Sequence, residues 1–374
     1  MSSPEFYVAS PLGDRTAGPE ALTQLVDAIR RRGYRAFLVP MRNFRGRRND
    51  PEYDIYDFEV REEIPRNSDA RLVISEVSPI ESRGELKQVA REHTWMGWFS
   101  VNNSPDPRAR YFRPDESCCS TFPVGSSPTR PPTRADFGLG KTAAGPFPIL
   151  REAANRVGGF THPAAVAVED LSIHFARRVI DSPIRFFAQS YYAQGFVREV
   201  LGRPDPIVIT DPVRIVPFPE HRGPRSTNLV LYNKVKSWSL LPAVAELMPD
   251  VEFRPIAGKS YTDVLSALSG ATAYLELGHL PGRDRMPREA AHVGTPVICL
   301  ARGAGYCWQD IPLPVDYRVP FREGWPALAA QALRRVLDDP RQAANDQAPY
   351  RLWVSGERER YENAVDAWLQ LAVS

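Results

Sequence analysis

The opening of the chain alternates between short apolar runs and one amphipathic segment, and this alternation restricts the folds open to it. The apolar runs at residues 6–10 and 36–40 have the composition of buried strands. Between them, apolar residues recur at the spacing of one helix face: Leu22, Leu25, Val26 and Ile29. Gly33 is placed to end this helix, which we expect over residues 20–32. A strand, a helix and a second strand in this order predict a βαβ unit, whose parallel strands need helices packed over the sheet.

The same alternation continues through both halves of the chain. Strand-like runs at 71–75 and 95–101, separated by a helical spacing at 81–93, extend the first half. In the second half, strand-like runs recur between helical segments at residues 228–233, 251–255, 273–277 and 295–300. These patterns predict an α/β protein made of two Rossmann-like domains.

Proline-rich stretches indicate where the domains are interrupted and joined. Residues from about 102 to 160 are expected to form an irregular insertion, because no ordinary connector is that long. The Pro- and Arg-rich stretch 204–227 is the expected interdomain linker. We therefore expect an N-terminal domain over 1–215 and a C-terminal domain over 220–350, followed by an amphipathic helix over 357–374.

Composition excludes several classes of function. Lys and Arg number 47 and Asp and Glu number 45, so the net charge of +2 gives no overall attraction for nucleic acids or acidic membranes. The four cysteines and six histidines lack the spacing of a disulfide framework or a metal site, and we expect neither a cofactor nor a required divalent metal. No signal peptide or transmembrane pattern is seen, which predicts a cytoplasmic protein. Phosphate-loop and nucleophile-elbow motifs are also missing, which argues against kinases and hydrolases.

The loop and helix start within residues 277–297 carry the strongest functional signal. Gly282, Arg283, Asp284 and Arg285 precede a short helix, whose first N–H groups carry a partial positive charge. The backbone at Gly282 can approach a phosphate closely, and an arginine can neutralise it. Glu289, one turn into the helix, can accept two ribose hydroxyls. The same residues also fit a solvated helix start with local ion pairs.

This segment resembles the donor-binding region of glycosyltransferases with the GT-B architecture, especially the group-1 retaining superfamily. The matching motif is Glu289-Ala-Ala-His-Val-Gly294-Thr-Pro296-Val-Ile298. A little-described bacterial branch of glycosyltransferase-like proteins is similar over 281–291, and also at Gly18-Pro-Glu-Ala-Leu-Thr-Gln-Leu25. The resemblance implies two Rossmann-like domains facing each other across a cleft, with the terminal helix crossing back to the N-terminal domain.

The resemblance also implies roles for individual residues. Glu289 matches the glutamate that holds the donor ribose, Gly18 matches a loop that approaches the donor phosphates, and Lys236 is similar in position to the diphosphate-binding lysine. Judged without the resemblance, Lys236 is more simply an exposed lysine in a turn. The superfamily's second glutamate, eight positions before the one that matches Glu289, is replaced here by Pro281.

Because that glutamate is missing, the donor sugar must be contacted by other groups. His279, Asp284 and the amides around Gly282 are available, and His279 ranks first because it follows a strand end, although a lone histidine is more often structural. We expect His279, Lys236 and Arg283 to act in catalysis. The expected donor-binding residues are Gly18, Lys236, Gly282, Arg283, Asp284, Arg285 and Glu289.

Acceptor binding is expected in the N-terminal domain, where the signals are weaker. Trp98 and Asn102 lie near a strand end, and an aromatic ring beside an amide suits a sugar acceptor. Core packing explains the tryptophan at least as well. His93 and His174 are candidates for a base or an orienting group. The basic stretch 42–48 suits an anionic acceptor such as a nucleic acid, or is a solvated surface.

The expected activity is transfer of a sugar from a nucleotide diphosphate sugar to an acceptor in glycan or polysaccharide assembly. By resemblance, the anomeric configuration is retained. Three alternatives stay open: a nucleotide-sugar epimerase, a non-catalytic nucleotide-sugar-binding subunit, and a glycosyltransferase acting on nucleic acid. The expected partners are the donor and a glycan, lipid-linked or other acceptor, and fold alone does not choose among them.

Overall fold

The polypeptide divides into two compact units. In the computed structural model the described residues are 3–65, 69–77, 79, 81–104, 106, 109, 174–204, 206–215, 228–256 and 260–374. The first unit contains the described residues up to Asp211 together with Glu359–Ser374, and the second contains those within Pro212–Arg358. Most of the insertion expected from about 102 to 160, and part of the linker expected at 204–227, lie outside the described residues.

A six-stranded parallel sheet in the order β2-β1-β3-β4-β5-β6 forms the centre of the first unit. Its strands are β1 (Phe6–Ser10), β2 (Ala36–Pro40), β3 (Arg71–Ser75), β4 (Thr94–Trp98), β5 (Arg185–Ala188) and β6 (Ile207–Val208). Strands β1 and β2 are buried along their whole length. Burial of both faces of a parallel sheet explains why these strands read as unbroken apolar runs in the sequence.

Two helices of the first unit follow strands of this sheet, α1 (Ala17–Arg31) and α2 (Tyr191–Glu199). The helix expected over 20–32 is confirmed as α1, and Gly33 follows it with a φ of +81°. The helix expected over 81–93 is wrong, because that stretch forms two 3-10 turns, Glu85–Lys87 and Arg91–His93. Leu86, in the first turn, and Val89, between the two turns, are both buried before β4 begins, so the apolar spacing does not need a continuous helix.

The second unit is built on a five-stranded parallel sheet in the order β11-β10-β9-β7-β8. Its strands are β7 (Leu229–Asn233), β8 (Glu252–Ile256), β9 (Ala273–Glu276), β10 (Val297–Ala301) and β11 (Arg318–Pro320). Its helices are α3 (Lys234–Ser237), α4 (Leu241–Ala245), α5 (Tyr261–Gly270), α6 (Arg285–His292), α7 (Trp325–Asp338), α8 (Pro340–Asp346) and α9 (Ala348–Ser355). Two parallel sheets with helices confirm the predicted α/β class and its two Rossmann-like parts.

The last helix, α10 (Glu357–Val373), contributes residues to both units. Its first two residues belong to the second unit, and Glu359–Ser374 belongs to the first. Five of its side chains are buried in the hydrophobic core of the first unit: Tyr361, Val365, Trp368, Leu369 and Ala372. In the described part of the chain, no helix combines the length and the apolar composition that a membrane crossing needs.

Candidate functional site

The strand order of the second unit identifies the part of its sheet where a ligand is expected. Strand β7 pairs with β8 on one side and with β9 on the other, so the connections that leave β7 and β9 diverge at their carboxyl ends. In open parallel sheets, ligands bind outside the carboxyl ends of the strands at this change of direction. Lys236 follows β7 there, and Glu276 is the last residue of β9.

The chain positions Lys236 tightly. The Asn233 side chain caps α3, because its Oδ1 accepts hydrogen bonds from the backbone N–H groups of Val235 at 3.0 Å and Lys236 at 3.3 Å. Gly278, in the loop after β9, lies directly against the lysine. A Cβ atom added at Gly278 would overlap the Lys236 Cβ and would be 2.8 Å from Glu276 Oε1. Only glycine at this position leaves the Lys236 side chain in place.

Glu276 is a fully buried carboxyl group at the same strand end. It accepts hydrogen bonds from the Tyr274 hydroxyl at 2.7 Å and from the Gly278 backbone N–H at 2.9 Å. Burial raises the pKa of Glu276, against the lowering effect of the nearby Lys236 ammonium. The sequence reasoning missed this residue, although one acidic residue within the apolar run 273–277 is a signal that could have identified it.

Lys236 makes an ion pair across the site. Its Nζ donates to Oδ1 of Asp284, and about a quarter of each side chain is exposed, 26% and 24%. Asp284 is the residue just before α6, and Arg285 is the first residue of that helix. The sequence-predicted residues Lys236 and Asp284 are therefore brought together although 48 positions separate them.

Arg283 requires a correction. We expected it to neutralise a phosphate and to act in catalysis, but it is only 2% exposed and its Nη2 donates to Oε1 of Glu357 at 2.6 Å. Its guanidinium also lies 4.1 Å from the ring centre of Trp353. The charge of Arg283 is therefore neutralised by Glu357 in the interior of the second unit. Arg283 is not a candidate phosphate ligand.

Arg288 completes this buried cluster around Glu357. Its Nη1 donates to Oε2 of Glu357 at 2.9 Å, and its other nitrogens donate to the backbone carbonyls of Arg283 at 2.8 Å and Asp284 at 3.0 Å. Burial alone would raise the pKa of Glu357, but the two guanidinium groups outweigh it and lower that pKa. Because Arg283 and Arg288 are buried, the segment is not the solvated helix start that the sequence also allowed. The loop before α6 is instead anchored by the buried ion pairs of Arg283 and Arg288 with Glu357.

The remaining donor-side residues except Gly18 lie around the same strand end or in α6. Glu289 is in α6 and is 5% exposed. Gly282 is buried, whereas His279 and Arg285 are partly exposed. Gly18 is in the other unit, and the structure corrects its expected setting, because it lies in the first turn of α1 rather than in a loop. A Cβ atom added at Gly18 would have no neighbour within 4 Å.

The four residues predicted on the acceptor side lie in different settings. Trp98 is fully buried, with its ring 4.9 Å from that of Phe196, so it is a core residue and not an acceptor platform. Asn102 holds a turn, because its Nδ2 donates to the Ala109 carbonyl at 2.8 Å and its Oδ1 accepts from the Tyr192 hydroxyl at 2.7 Å. His93 directly precedes β4 and so lies at the amino end of that strand, away from the edge where ligands bind. His174 is exposed.

Within the described residues, no group of three or more His, Cys, Asp or Glu side chains is arranged to hold a metal ion. The groups that meet at the carboxyl ends of β7 and β9 include the Lys236 ammonium, the Glu276 and Asp284 carboxyl groups and the start of α6. This arrangement can bind an anion through Lys236 and the first N–H groups of α6. It can also accept hydrogen bonds from hydroxyl groups through Asp284 and Glu289.

Comparisons with known proteins bear on the fold. The sequence matches no protein-family model. No curated protein is detectably similar to it in sequence. Among solved structures, sucrose-phosphate synthase from Thermosynechococcus elongatus aligns with a TM-score of 0.64 at 12% identity, over 98% of both chains. A single-residue mutant of TarM from S. aureus, in complex with fondaparinux, alpha-GlcNAc-glycerol and UDP, aligns with a TM-score of 0.50 at 13% identity, over 83% of this chain and 57% of that chain.

Identities this low carry no information about substrate, but the extent of the alignment does establish architecture. The match to the synthase covers nearly all of both chains, including both parallel sheets. The fold implied by the motif around Glu289 is thereby confirmed, and the chain has the fold of the GT-B glycosyltransferases.

Proposed function

We propose that the protein is a glycosyltransferase that takes a sugar from a nucleotide diphosphate sugar bound at the carboxyl ends of β7 and β9. The observation that carries this proposal is the meeting of Lys236 with the start of α6 at the change of strand direction. A cation and helix N–H groups at this place suit a diphosphate. UDP is the first nucleotide to test, because the TarM structure was determined with UDP.

In the proposed reaction, the bond between the anomeric carbon and the diphosphate oxygen breaks, and its electron pair stays on the diphosphate. An acceptor oxygen forms the new bond to the anomeric carbon and transfers its proton to the oxygen of the leaving diphosphate. Negative charge grows on the leaving diphosphate, so Lys236 and the first turn of α6 stabilise the transition state more than the ground state. Glu289 is proposed to accept hydrogen bonds from the ribose hydroxyls, and His279 or Asp284 to contact the sugar.

We further propose transfer with retention in glycan or polysaccharide assembly, without a required divalent metal. Retention and the biological role follow only from the resemblance of the motif around Glu289. We propose metal independence because, at the assigned site, the Lys236 ammonium would neutralise the charge that develops on the leaving diphosphate. Adding EDTA should therefore leave the rate of transfer unchanged, and a loss of transfer that Mg²⁺ restores would contradict this part of the proposal.

Calorimetric titration with UDP, GDP and ADP and their glucose conjugates tests the site directly. We expect Lys236→Ala and Glu289→Gln each to weaken binding of the accepted nucleotide roughly tenfold to a hundredfold, because a charge-assisted hydrogen bond contributes about 1.5–3 kcal/mol. Lys234→Ala is the matched control for the lysine, since Lys234 is exposed on the same short helix. Glu323→Gln, at an exposed position of the second unit, is the control for the glutamate.

Turnover separates this proposal from its alternatives. Release of nucleotide diphosphate that depends on a glycan acceptor supports a transferase. Conversion of the nucleotide sugar without any acceptor would identify an epimerase instead. Binding without conversion across a wide acceptor panel would identify a binding subunit, and equal affinity of wild type and both variants would refute the site assignment.

A further inference from the structure

Asp284 occupies a position where an aspartate normally caps a helix. It directly precedes α6, and its φ of −64° and ψ of 149° are those of an ordinary N-cap residue. Its side chain nevertheless makes no capping hydrogen bond, and Oδ1 instead accepts from Lys236 Nζ. The backbone of Asp284 thus has the conformation of an N-cap residue. Its carboxylate binds the lysine instead of the N–H groups of α6.

The second oxygen of this carboxylate is poorly accommodated. Asp284 Oδ2 is buried and has no hydrogen-bond partner among the described residues. A buried carboxylate oxygen without a partner is costly, and so are helix N–H groups without a cap. Asp284 and the first turn of α6 could satisfy each other if the side chain rotated. The ion pair with Lys236 therefore holds Asp284 in an arrangement that an incoming anion can displace.

The local charges show what the ion pair does to an incoming ligand. Arg283 and Arg288 are buried with Glu357, and burial raises the pKa of Glu276, which favours its neutral form. Lys236 and Asp284 form a partly exposed ion pair at this strand end, beside Arg285, the partly exposed first residue of α6. The charges of Lys236 and Asp284 largely cancel each other. An incoming diphosphate must therefore compete with the Asp284 carboxylate for the lysine. A free nucleoside diphosphate carries about one more negative charge at neutral pH than its sugar conjugate, because its terminal phosphate ionises with a pKa of about 6.

We propose that Asp284 competes with the diphosphate for Lys236, and that this competition weakens the hold on the free nucleoside diphosphate more than the hold on the nucleotide sugar. The inference rests on the proposed function, since it concerns the product and the donor of that reaction. When a diphosphate binds, Lys236 turns its charge to the phosphate, and the Asp284 carboxylate rotates to accept from one N–H group of α6 while the other N–H groups of that first turn stay available to the phosphate. Asp284 thereby determines how strongly the site prefers the nucleotide sugar, the donor, over the free nucleoside diphosphate, the product.

Titrations of wild type and Asp284→Asn with UDP, UDP-glucose and inorganic pyrophosphate test the proposal. We expect the variant to bind UDP and pyrophosphate about tenfold more tightly than wild type, and UDP-glucose only about threefold more tightly, because removing a like charge helps the more highly charged ligand most. The gain should shrink as salt is raised, since part of the site is exposed. Inhibition of transfer by UDP should become stronger in the same proportion.

Two further variants separate this effect from a general loss of structure. Asp284→Ser keeps a good capping side chain without the charge, and it should reproduce the tighter binding of UDP. Asp250→Asn is the matched control. Asp250 also pairs with an arginine, Arg334 at 2.7 Å, but it precedes β8 and so lies at the opposite edge of the same sheet. Its binding constants should equal those of wild type.

The results that overturn the inference are distinct from those that overturn the proposed function. Unchanged or weaker binding of UDP and pyrophosphate by both Asp284 variants would overturn the competition, as would a loss confined to UDP-glucose, which would mean that Asp284 holds the sugar. A lack of pyrophosphate binding by wild type and variants alike would overturn it too. Tighter pyrophosphate binding in the variants, without turnover of any nucleotide sugar, would support the competition and refute the transferase.

Discussion

At the scale of single residues, the two units place a buried glutamate at equivalent positions. Glu276 ends β9, and Glu76 follows β3, and in each unit this is the strand beside the change of direction. Glu76 accepts hydrogen bonds from the Ser100 backbone N–H and from the Ser75 hydroxyl, the latter at 3.0 Å. Each carboxyl group accepts a hydrogen bond from the backbone just after a strand. Glu276 accepts from Gly278, after β9, and Glu76 accepts from Ser100, after β4. Burial raises the pKa of Glu76 to about 7, against the lowering effect of these hydrogen bonds.

This raised pKa predicts a specific dependence of stability on pH. In the unfolded chain Glu76 titrates near 4.5, so its contribution to the free energy of unfolding is complete below that pH and is lost as the pH rises through about 7. We expect this loss to be about 3 kcal/mol in wild type and absent in Glu76→Gln. Urea unfolding at several values between about pH 5 and about pH 8 measures it. Glu63→Gln, at an exposed position, should keep the wild-type profile. Parallel profiles for wild type and Glu76→Gln would contradict the prediction.

At the scale of elements, the loop before α6 owes its shape to the first residue of α10. Glu357 receives hydrogen bonds from Arg283, Arg288 and, at 3.2 Å, the backbone N–H of Val213. The two arginines come from the loop and from α6, so one carboxylate fixes both. A buried ion pair of this kind does little for net stability compared with an apolar core, but removing one partner leaves the other charge without compensation.

We therefore expect Glu357→Gln to lower the free energy of unfolding by about 3 kcal/mol or more, because two buried guanidinium groups lose their counter-charge. The same variant should bind UDP more weakly, since the loop that carries Asp284 loses its anchor. Thermal and urea unfolding of the full chain measure the first effect, and titration calorimetry measures the second. Glu359→Gln, two positions further along α10 and exposed, is the control. Stability equal to that of wild type would show that the cluster does not hold the loop.

At the scale of the whole molecule, α10 continues without interruption from one unit into the other. Its Trp368 ring is in contact with three aromatic side chains of the first unit: Phe6 at 5.8 Å, Trp95 at 5.6 Å and Phe187 at 6.0 Å between ring centres. Arg32, which follows α1, donates to Glu362 Oε2 at 2.8 Å on the same helix. The first unit therefore takes part of its core from the end of the sequence.

Replacing this tryptophan should destabilise the first unit strongly. We expect Trp368→Ala to lower the free energy of unfolding by about 3–5 kcal/mol, because a fully buried aromatic side chain is lost and a cavity remains. Urea unfolding followed by circular dichroism measures the effect. Gln370→Ala, two positions away on the exposed side of α10, should change stability by less than about 0.5 kcal/mol. A small effect of Trp368→Ala would mean that the first unit folds without α10.

The local pattern of the sequence was sufficient to predict the class of fold. Strand and helix periodicities are properties of a few consecutive residues, so the unbroken apolar runs of β1 and β2 and the face of α1 could be recognised directly. The same reasoning placed Lys236 after a strand and Glu289 in a helix. It wrongly predicted one continuous helix over 81–93, because spacing alone does not distinguish a helix from two short turns.

Only the tertiary structure decided which charges are available to a ligand. Arg283 and Asp284 are neighbours in the sequence and were both expected in the donor site, yet Arg283 is buried against Glu357 whereas Asp284 meets Lys236 at a partly exposed strand end. Those partners lie 74 and 48 positions away along the chain. A side chain's type and spacing are local, but its burial and its counter-charge depend on what distant segments bring beside it. For that reason the sequence by itself determined the class of fold, and only the packed structure determined which charges are buried with a counter-charge and which are partly exposed.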